Sequence, residues 1–315
     1  METKALVLSG GSIKGAFQAG AIQAVIEKGF FPGFLYGISV GSLNSTFINN
    51  EAGKQRVPFE KLDWNKIKDN LINFWLQNIN KPADLVSRHN YVGLIIAMLR
   101  GKFNGLVDTA PLRELIHKVV NMDNILQSPL KHEVGAVNIT EGEIFYADSK
   151  TTPDFLDYVL ASTAMPIIMP GILVGKNSAK VFFDGGIRNV APLRNAIKSG
   201  SSNIVCILCQ PEKVGVENFN YQNFPKLTER MTDIMVNQIE STDIDHAEMI
   251  NKLVPEDGTP ALSGPLTGKR KIKITVIRPK ELINIDIRSF NKNDISAMIN
   301  LGYQTAVEVL KEADI

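Results

Sequence analysis

Residues 37–46 read GISVGSLNST. Ser39 stands between Gly37 and Gly41, the Gly-x-Ser-x-Gly spacing of a nucleophilic serine that projects from a tight strand-to-helix turn. Two readings are open for this stretch alone. Ser39 either attacks a substrate or simply caps the helix that follows. A serine hydroxyl attacks only when a base takes its proton, and that base is usually a histidine. The chain has four histidines, His89, His117, His132 and His246, and none has an evident partner in the sequence.

Two further segments carry polar chemistry at the ends of apolar runs. SGGSIKG (residues 9–15) follows a short apolar strand. Backbone N–H groups left free at such a turn bind anions. A dinucleotide loop would need glycine where Ser12 stands, and the P-loop spacing fails as well. An oxyanion hole needs less, two N–H groups aimed at one oxygen. Lys14 either adds positive charge there or is solvated. In VFFDGGIRNVAP (residues 181–192), Asp184 closes an apolar run and meets Gly185 and Gly186. Asp-Gly is a common turn. In a parallel sheet, however, the strand C-termini converge on the site, which would bring Asp184 to the same edge as Ser39 and residues 10–15.

The elements that must position these residues are readable from pattern. Residues 4–10 and 34–39 read as strands, each passing through glycines into a helix, over 15–29 and from 40 onward. Strand–helix alternation of this kind implies a parallel sheet with helices on its faces. Residues 63–122 read as three helices with no strand, a helical insertion of the kind that builds lids or substrate walls. Strands return at HEVGAVNIT and EIFYAD as a neighbouring pair, then at 179–184, 203–209 and 271–279. Helices are expected at DFLDYVLASTA, PLRNAIKSG, a long stretch from Phe224, and NDISAMINLGYQTAVEVLKEA. Residues 255–269 read as an exposed Pro/Gly-rich loop.

Composition narrows the function classes. The 315 residues are 44% hydrophobic and 21% charged, with a net charge of +1 from 34 basic and 33 acidic residues. No basic block stands out, so nucleic acid is not the expected partner. The longest apolar run, VGLIIAML, falls well short of the roughly 20 residues of a bilayer span. The N-terminus lacks the pattern of a secretory signal. A soluble, cytoplasmic protein is expected. Cys206 and Cys209 form a C-x-x-C inside an apolar strand, where positions three apart face opposite ways. With no second Cys/His pair to complete a zinc site, a core role is expected.

With LASTAMPIIMPGI (residues 160–172) as a fourth match, the glycine-rich SGGSIKG, the elbow GISVGSLN and the Asp184-Gly185-Gly186 turn resemble the patatin-like phospholipase family. Order and spacing agree from residue 4 to about 210, and the last hundred residues are less diagnostic. The resemblance implies an α/β fold, a three-layer α/β/α with a mostly parallel central sheet. It implies a single catalytic domain over 1–315, with 63–122 as its insertion. It also implies a lipid acyl hydrolase of phospholipase A or lysophospholipase type that uses a Ser–Asp dyad without histidine, metal or cofactor. Ser39 is then the nucleophile and Asp184 the base. Gly10, Gly11 and Ser12 supply the oxyanion donors, and Lys14, Gly15, Gly37, Gly41, Gly185 and Gly186 support them. The expected partner is a lipid ester, with peripheral membrane contact.

Ser12 departs from the family, which has a third glycine there. The N–H survives that change, but the freedom to take positive φ does not. Burial of Asp184 would raise its pKa and improve it as a base. Two alternatives stand beside the dyad. The order Ser39, Asp184, His246 matches a carboxylesterase triad, although His246 lies in a polar helical stretch. The other is a catalytically impaired lipid-binding relative, for which Ser12 argues. The apolar segment 90–103 ends in Arg100 and Lys102, and reads either as an interfacial segment or as a core helix.

Overall fold

The computed structural model describes residues 3–89, 91–175, 180–218 and 220–313. Asn90 and Ala179, at the starts of the expected interfacial segment and of one expected strand, lie outside them. The strands are β1 (Lys4–Leu8), β2 (Phe34–Ile38), β3 (Ser87–Arg88), β4 (Val107–Asp108), β5 (Lys131–Asn138), β6 (Glu143–Asp148), β7 (Ile172–Val174), β8 (Lys180–Asp184), β9 (Asn203–Ile207) and β10 (Lys273–Ile277). The helices are α1 (Gly15–Glu27), α2 (Val40–Lys54), α3 (Trp64–Asn78), α4 (Tyr91–Leu99), α5 (Ala110–Val119), α6 (Met122–Gln127), α7 (Phe155–Thr163), α8 (Leu193–Lys198), α9 (Phe224–Leu253) and α10 (Lys292–Glu312).

The central sheet runs β10-β9-β1-β2-β5-β8-β7, with β6 also paired to β5. β10, β9, β1, β2 and β5 are mutually parallel, whereas β6, β7 and β8 join antiparallel. Two packed layers cover it. Leu6 and Leu8 of β1, with Val205 and Ile207 of β9, enter the larger core with α1, α2, α3 and α10. Their alternates Ala5, Val7, Ile204 and Cys206 enter a second core with α8 and α9. Strands buried on both faces read as unbroken apolar runs, which is why KALVL and NIVCI were legible. Cys206 and Cys209 fall in these two different cores as unpaired thiols.

α10 belongs to this body. A Cβ on Gly20 would lie 1.8 Å from the Ile299 carbonyl oxygen, and one on Gly302 would lie 1.9 Å from that of Phe17. Glycine at these two positions lets α1 and α10 touch backbone to backbone. The 63–122 segment divides. α3 buries Trp64, Ile67, Leu71, Phe74 and Trp75 in the main core. The stretch read as purely helical also contains the antiparallel ribbon β3–β4. Two-residue strands carry no periodicity to read, and the three-residue β7 escaped for the same reason.

The register of β5 brings two strand ends together. Residues 133–135 pair with β2 on one edge and β6 on the other. Residues 136–138 keep β6 and take β8 on the edge that β2 has left. β2 and β8 therefore share one edge of β5 and point at each other. Ile38, the last residue of β2, sits opposite Gly135, and Asp184, the last of β8, sits opposite Ala136. Asp184 and Ser39 do meet, but not because all the strands are parallel. β8 descends from the far side and stops where β2 ends.

Candidate active site

Ser39 follows β2 directly and takes φ 54°, ψ −125° before α2 begins at Val40. Positive φ is unfavourable for a residue with a Cβ. The turn is held from outside, because the Ser39 N–H donates to Ser162 Oγ at 2.8 Å. The Ser39 carbonyl oxygen accepts the Ser42 N–H at 2.9 Å and the Ser42 hydroxyl at 2.6 Å. The chain enters α2 with no room for side chains. A Cβ on Gly37 would lie 2.4 Å from the Gly41 oxygen, and one on Gly41 2.3 Å from the Leu8 oxygen. Ser39 occupies the N-cap position, yet its side chain caps no backbone N–H. The hydroxyl faces the Asp184 carboxyl instead and favours its ionised form.

Asp184 is 7% exposed. Its N–H donates to the Ala164 carbonyl oxygen at 2.9 Å, and its Oδ1 accepts the Gly186 N–H at 2.7 Å. Burial pushes its pKa up to about 6, against the opposing pull of the Gly186 N–H and the facing Ser39 hydroxyl. Gly185 packs on the β5 backbone, where a Cβ would lie 2.5 Å from the Gly135 oxygen. The segment 160–172 thus touches both halves of the pair, through Ser162 and Ala164. The motif was visible in the sequence, but these two contacts were not.

The glycine loop passes against the serine, and a Cβ on Gly10 would lie 3.2 Å from Ser39 Cβ. The N–H of Gly10 is committed to the Val190 carbonyl oxygen at 3.0 Å. Gly10 is therefore not a free donor, contrary to the expectation from sequence. The Gly11 carbonyl accepts the Lys14 N–H at 3.1 Å, closing a single 3-10 turn over Ser12–Lys14. Among the described residues no protein acceptor takes the N–H of Gly11 or Ser12. Ser12 has φ 55°, so the loop does need the left-handed conformation there and serine adopts it. Lys14 is not solvated. Its side chain is 12% exposed and its Nζ lies 3.3 Å from Asp233 Oδ1 on α9. Gly15 starts α1 against Val40, whose Cγ2 a Cβ would approach to 2.2 Å.

The histidines lie elsewhere. His89, His117 and His246 are exposed. His132 is buried on β5, with Nε2 2.9 Å from Ser45 Oγ and Nδ1 3.3 Å from Asn49 Nδ2, and burial lowers its pKa to about 3. Among the described residues none is hydrogen-bonded to Ser39 or Asp184.

No curated protein matches the chain. Among solved structures it is similar to VipD from Legionella pneumophila, at 16% identity and a TM-score of 0.45 over 99% of this chain and 67% of that one. The patatin-like phospholipase family model matches residues 6–197, which include the glycine loop, the elbow, residues 160–172 and the Asp184 turn. With more than half its length matched, the chain belongs to the patatin-like phospholipase family of lipid acyl hydrolases.

Proposed function

We propose that the chain cleaves acyl esters of phospholipids or lysophospholipids through an acyl-enzyme on Ser39, with Asp184 as the only protein base. The observation that carries this reading is the convergence of β2 and β8 on one edge of β5, which sets the Ser39 hydroxyl against the buried Asp184 carboxyl, whose pKa lies near 6. At neutral pH such a group is ionised and is far more basic than an ordinary aspartate. Ser39 Oγ attacks the ester carbon and its proton passes to Asp184. The oxyanion takes the free N–H groups of Gly11 and Ser12, with the N-terminus of α2 adding its positive end. Collapse expels the alcohol or lysolipid, which receives the proton from Asp184. Water then repeats the sequence on the acyl-serine and releases the fatty acid. Peripheral lipid contact through α4 completes the reading. α4 presents Ile95, Ile96, Met98 and Leu99 to solvent, and no helix among the described residues is long and apolar enough to cross a membrane. Just beyond α4 the chain is tethered to the Asp184 side of the site, where the Leu106 N–H meets the carbonyls of Ile167 and Ile168.

The test is covalent labelling by a fluorophosphonate together with release of fatty acid from phosphatidylcholine and lysophosphatidylcholine. Labelling and turnover in the wild type, both lost in Ser39→Ala, are expected. A folded wild-type chain whose Ser39 does not label would overturn the reading.

A further inference from the structure

The backbone of residues 9–11 is tied down group by group. The Ser9 N–H donates to the Ile207 carbonyl oxygen at 3.1 Å and the Gly10 N–H to that of Val190 at 3.0 Å, while the Gly11 carbonyl accepts the Lys14 N–H at 3.1 Å. The Ser9 carbonyl accepts Gln18 Nε2 at 2.8 Å. The Gly10 carbonyl accepts the hydroxyl of Ser9 at 2.9 Å. Of the backbone polar groups of these three residues, the Gly11 N–H alone has no partner among the described residues.

That N–H shares a rigid peptide plane with the Gly10 carbonyl. Whatever holds the one aims the other. Here the holder is a side chain, Ser9 Oγ, and it is itself fixed, because it accepts the Cys209 N–H at 3.1 Å from just beyond β9. Ser9 is fully buried, so water does not compete for its hydrogen. Gly11 also packs directly on Cys209, whose Cβ a side chain at 11 would approach to 2.2 Å. The preceding plane is braced from the helices. Gln18 on α1 and Asn44 on α2 are fully buried. Gln18 Oε1 accepts Asn44 Nδ2 at 3.0 Å, and Asn44 Oδ1 accepts Trp75 Nε1 of α3 at 2.9 Å.

We propose that Ser9 is a positioning residue for the oxyanion donor. Its hydroxyl fixes the Gly10–Gly11 peptide before substrate arrives, so the Gly11 N–H does not reorganise as charge develops on the ester oxygen. The inference rests on the acyl-enzyme reading above and adds to it a residue that never touches substrate. A donor aimed in advance favours the transition state over the bound ester, so its loss falls on kcat rather than KM. Ser9→Ala removes both the donor to the Gly10 carbonyl and the acceptor of the Cys209 N–H.

The experiment compares wild type, Ser9→Ala and Ser128→Ala as full chains. Ser128 is the control for stability. It is buried, its Oγ accepts the Leu130 N–H at 3.2 Å, and it is no part of the site. Melting temperature, kcat and KM on a short-chain p-nitrophenyl ester are measured. Inhibition by an alkyl trifluoromethyl ketone is measured as well, since its oxygen becomes an oxyanion when Ser39 adds to it. Losing an oxyanion donor outright costs about 10²- to 10³-fold, and misaiming one should cost about 10- to 100-fold in kcat. KM should stay within about threefold of wild type, and the ketone should weaken by the same factor as kcat/KM. Ser128→Ala should melt lower and keep wild-type kcat. A folded Ser9→Ala with kcat within about threefold of wild type overturns the inference. So does a loss confined to KM, or one that Ser128→Ala reproduces. Where Ser9→Ala fails to fold, Ser9→Cys decides, because S–H is a weaker donor at the same position. Lower kcat at constant KM is then expected, and wild-type kcat overturns the inference. A wild type that neither turns over the ester nor labels with a fluorophosphonate removes the acyl-enzyme reading and this inference with it. An active, labelled wild type matched by Ser9→Ala removes this inference alone.

Discussion

Ser162 Oγ accepts the backbone N–H of Ser39 at 2.8 Å, so the strained elbow is held by a side chain on α7, far away in sequence. Ser162 is itself fully buried. In Ser162→Ala the Ser39 N–H loses its acceptor in a place that water does not readily fill. Leaving a buried donor unpaired costs about 1–3 kcal/mol. The variant should melt lower and label more slowly than wild type. Equal melting and equal labelling would show that the elbow keeps its geometry unaided.

Asp184 predicts an acid limb. The proposed base must be ionised, and its pKa is about 6. kcat/KM should therefore reach its plateau near pH 7 and fall about tenfold for each unit below 6. Stability runs the other way. Because the folded pKa is raised, burying Asp184 favours the fold most below the ordinary carboxylate pKa, and that advantage is lost as pH rises through 6. Asp184→Asn should thus raise the melting temperature at pH 8 more than at pH 5, while lowering the rate by about 10²- to 10⁴-fold. A rate loss with no pH-dependent gain in stability would mean that Asp184 is not ionised against its burial in the wild type.

His246 separates the dyad from a triad. It is exposed on α9, one turn from Asp243, and is not hydrogen-bonded to Ser39 or Asp184. His246→Ala should keep wild-type turnover. If it were instead as inactive as Ser39→Ala while still folded, the proton would go to histidine and the proposed mechanism would be wrong.

The three polar turns were legible in the sequence because each interrupts an apolar strand run with glycines, and backbone crowding at Gly37 and Gly41 explains that spacing. Their meeting was less legible. It depends on β8 replacing β2 along one edge of β5, and an antiparallel entry leaves no mark in the sequence of β8 itself. The commitment of Gly10 to Val190 joins residues 180 positions apart, so no local pattern could have removed Gly10 from the donor set. Glu240 on α9 was hidden differently: it sits in a mostly polar helical stretch, and only tertiary packing buries it.

α4 tests the lipid contact. Leu99 is 83% exposed, and Ile96 also faces solvent. Neither contributes to either core, so Leu99→Glu and Ile96→Glu should fold normally. Each should weaken binding to phosphatidylcholine vesicles and slow turnover of long-chain lipid, while leaving a short soluble ester untouched. Equal losses on both substrates would place α4 in the fold or the site rather than at a lipid surface.

Ser12 carries a cost that the family's glycine does not. At φ 55° a residue with a Cβ loses about 1–2 kcal/mol relative to right-handed backbone. Glycine relieves that strain but costs about 0.5–1 kcal/mol through its freer unfolded chain. Ser12→Gly should therefore be neutral to about 1.5 kcal/mol more stable. It should not slow labelling of Ser39, because the proposed donor is the backbone N–H and not the hydroxyl. Ser12→Val is the opposing probe. A β-branched side chain resists positive φ more strongly than serine. The loop must then either keep its shape under strain or turn the N–H groups of residues 11 and 12 away from the oxyanion. Lower stability together with labelling slowed by at least about tenfold is expected, in line with the loss of an oxyanion donor. Wild-type labelling in Ser12→Val would mean that the left-handed turn at 12 is dispensable, and that the donors aimed at the ester oxygen are not those of this loop.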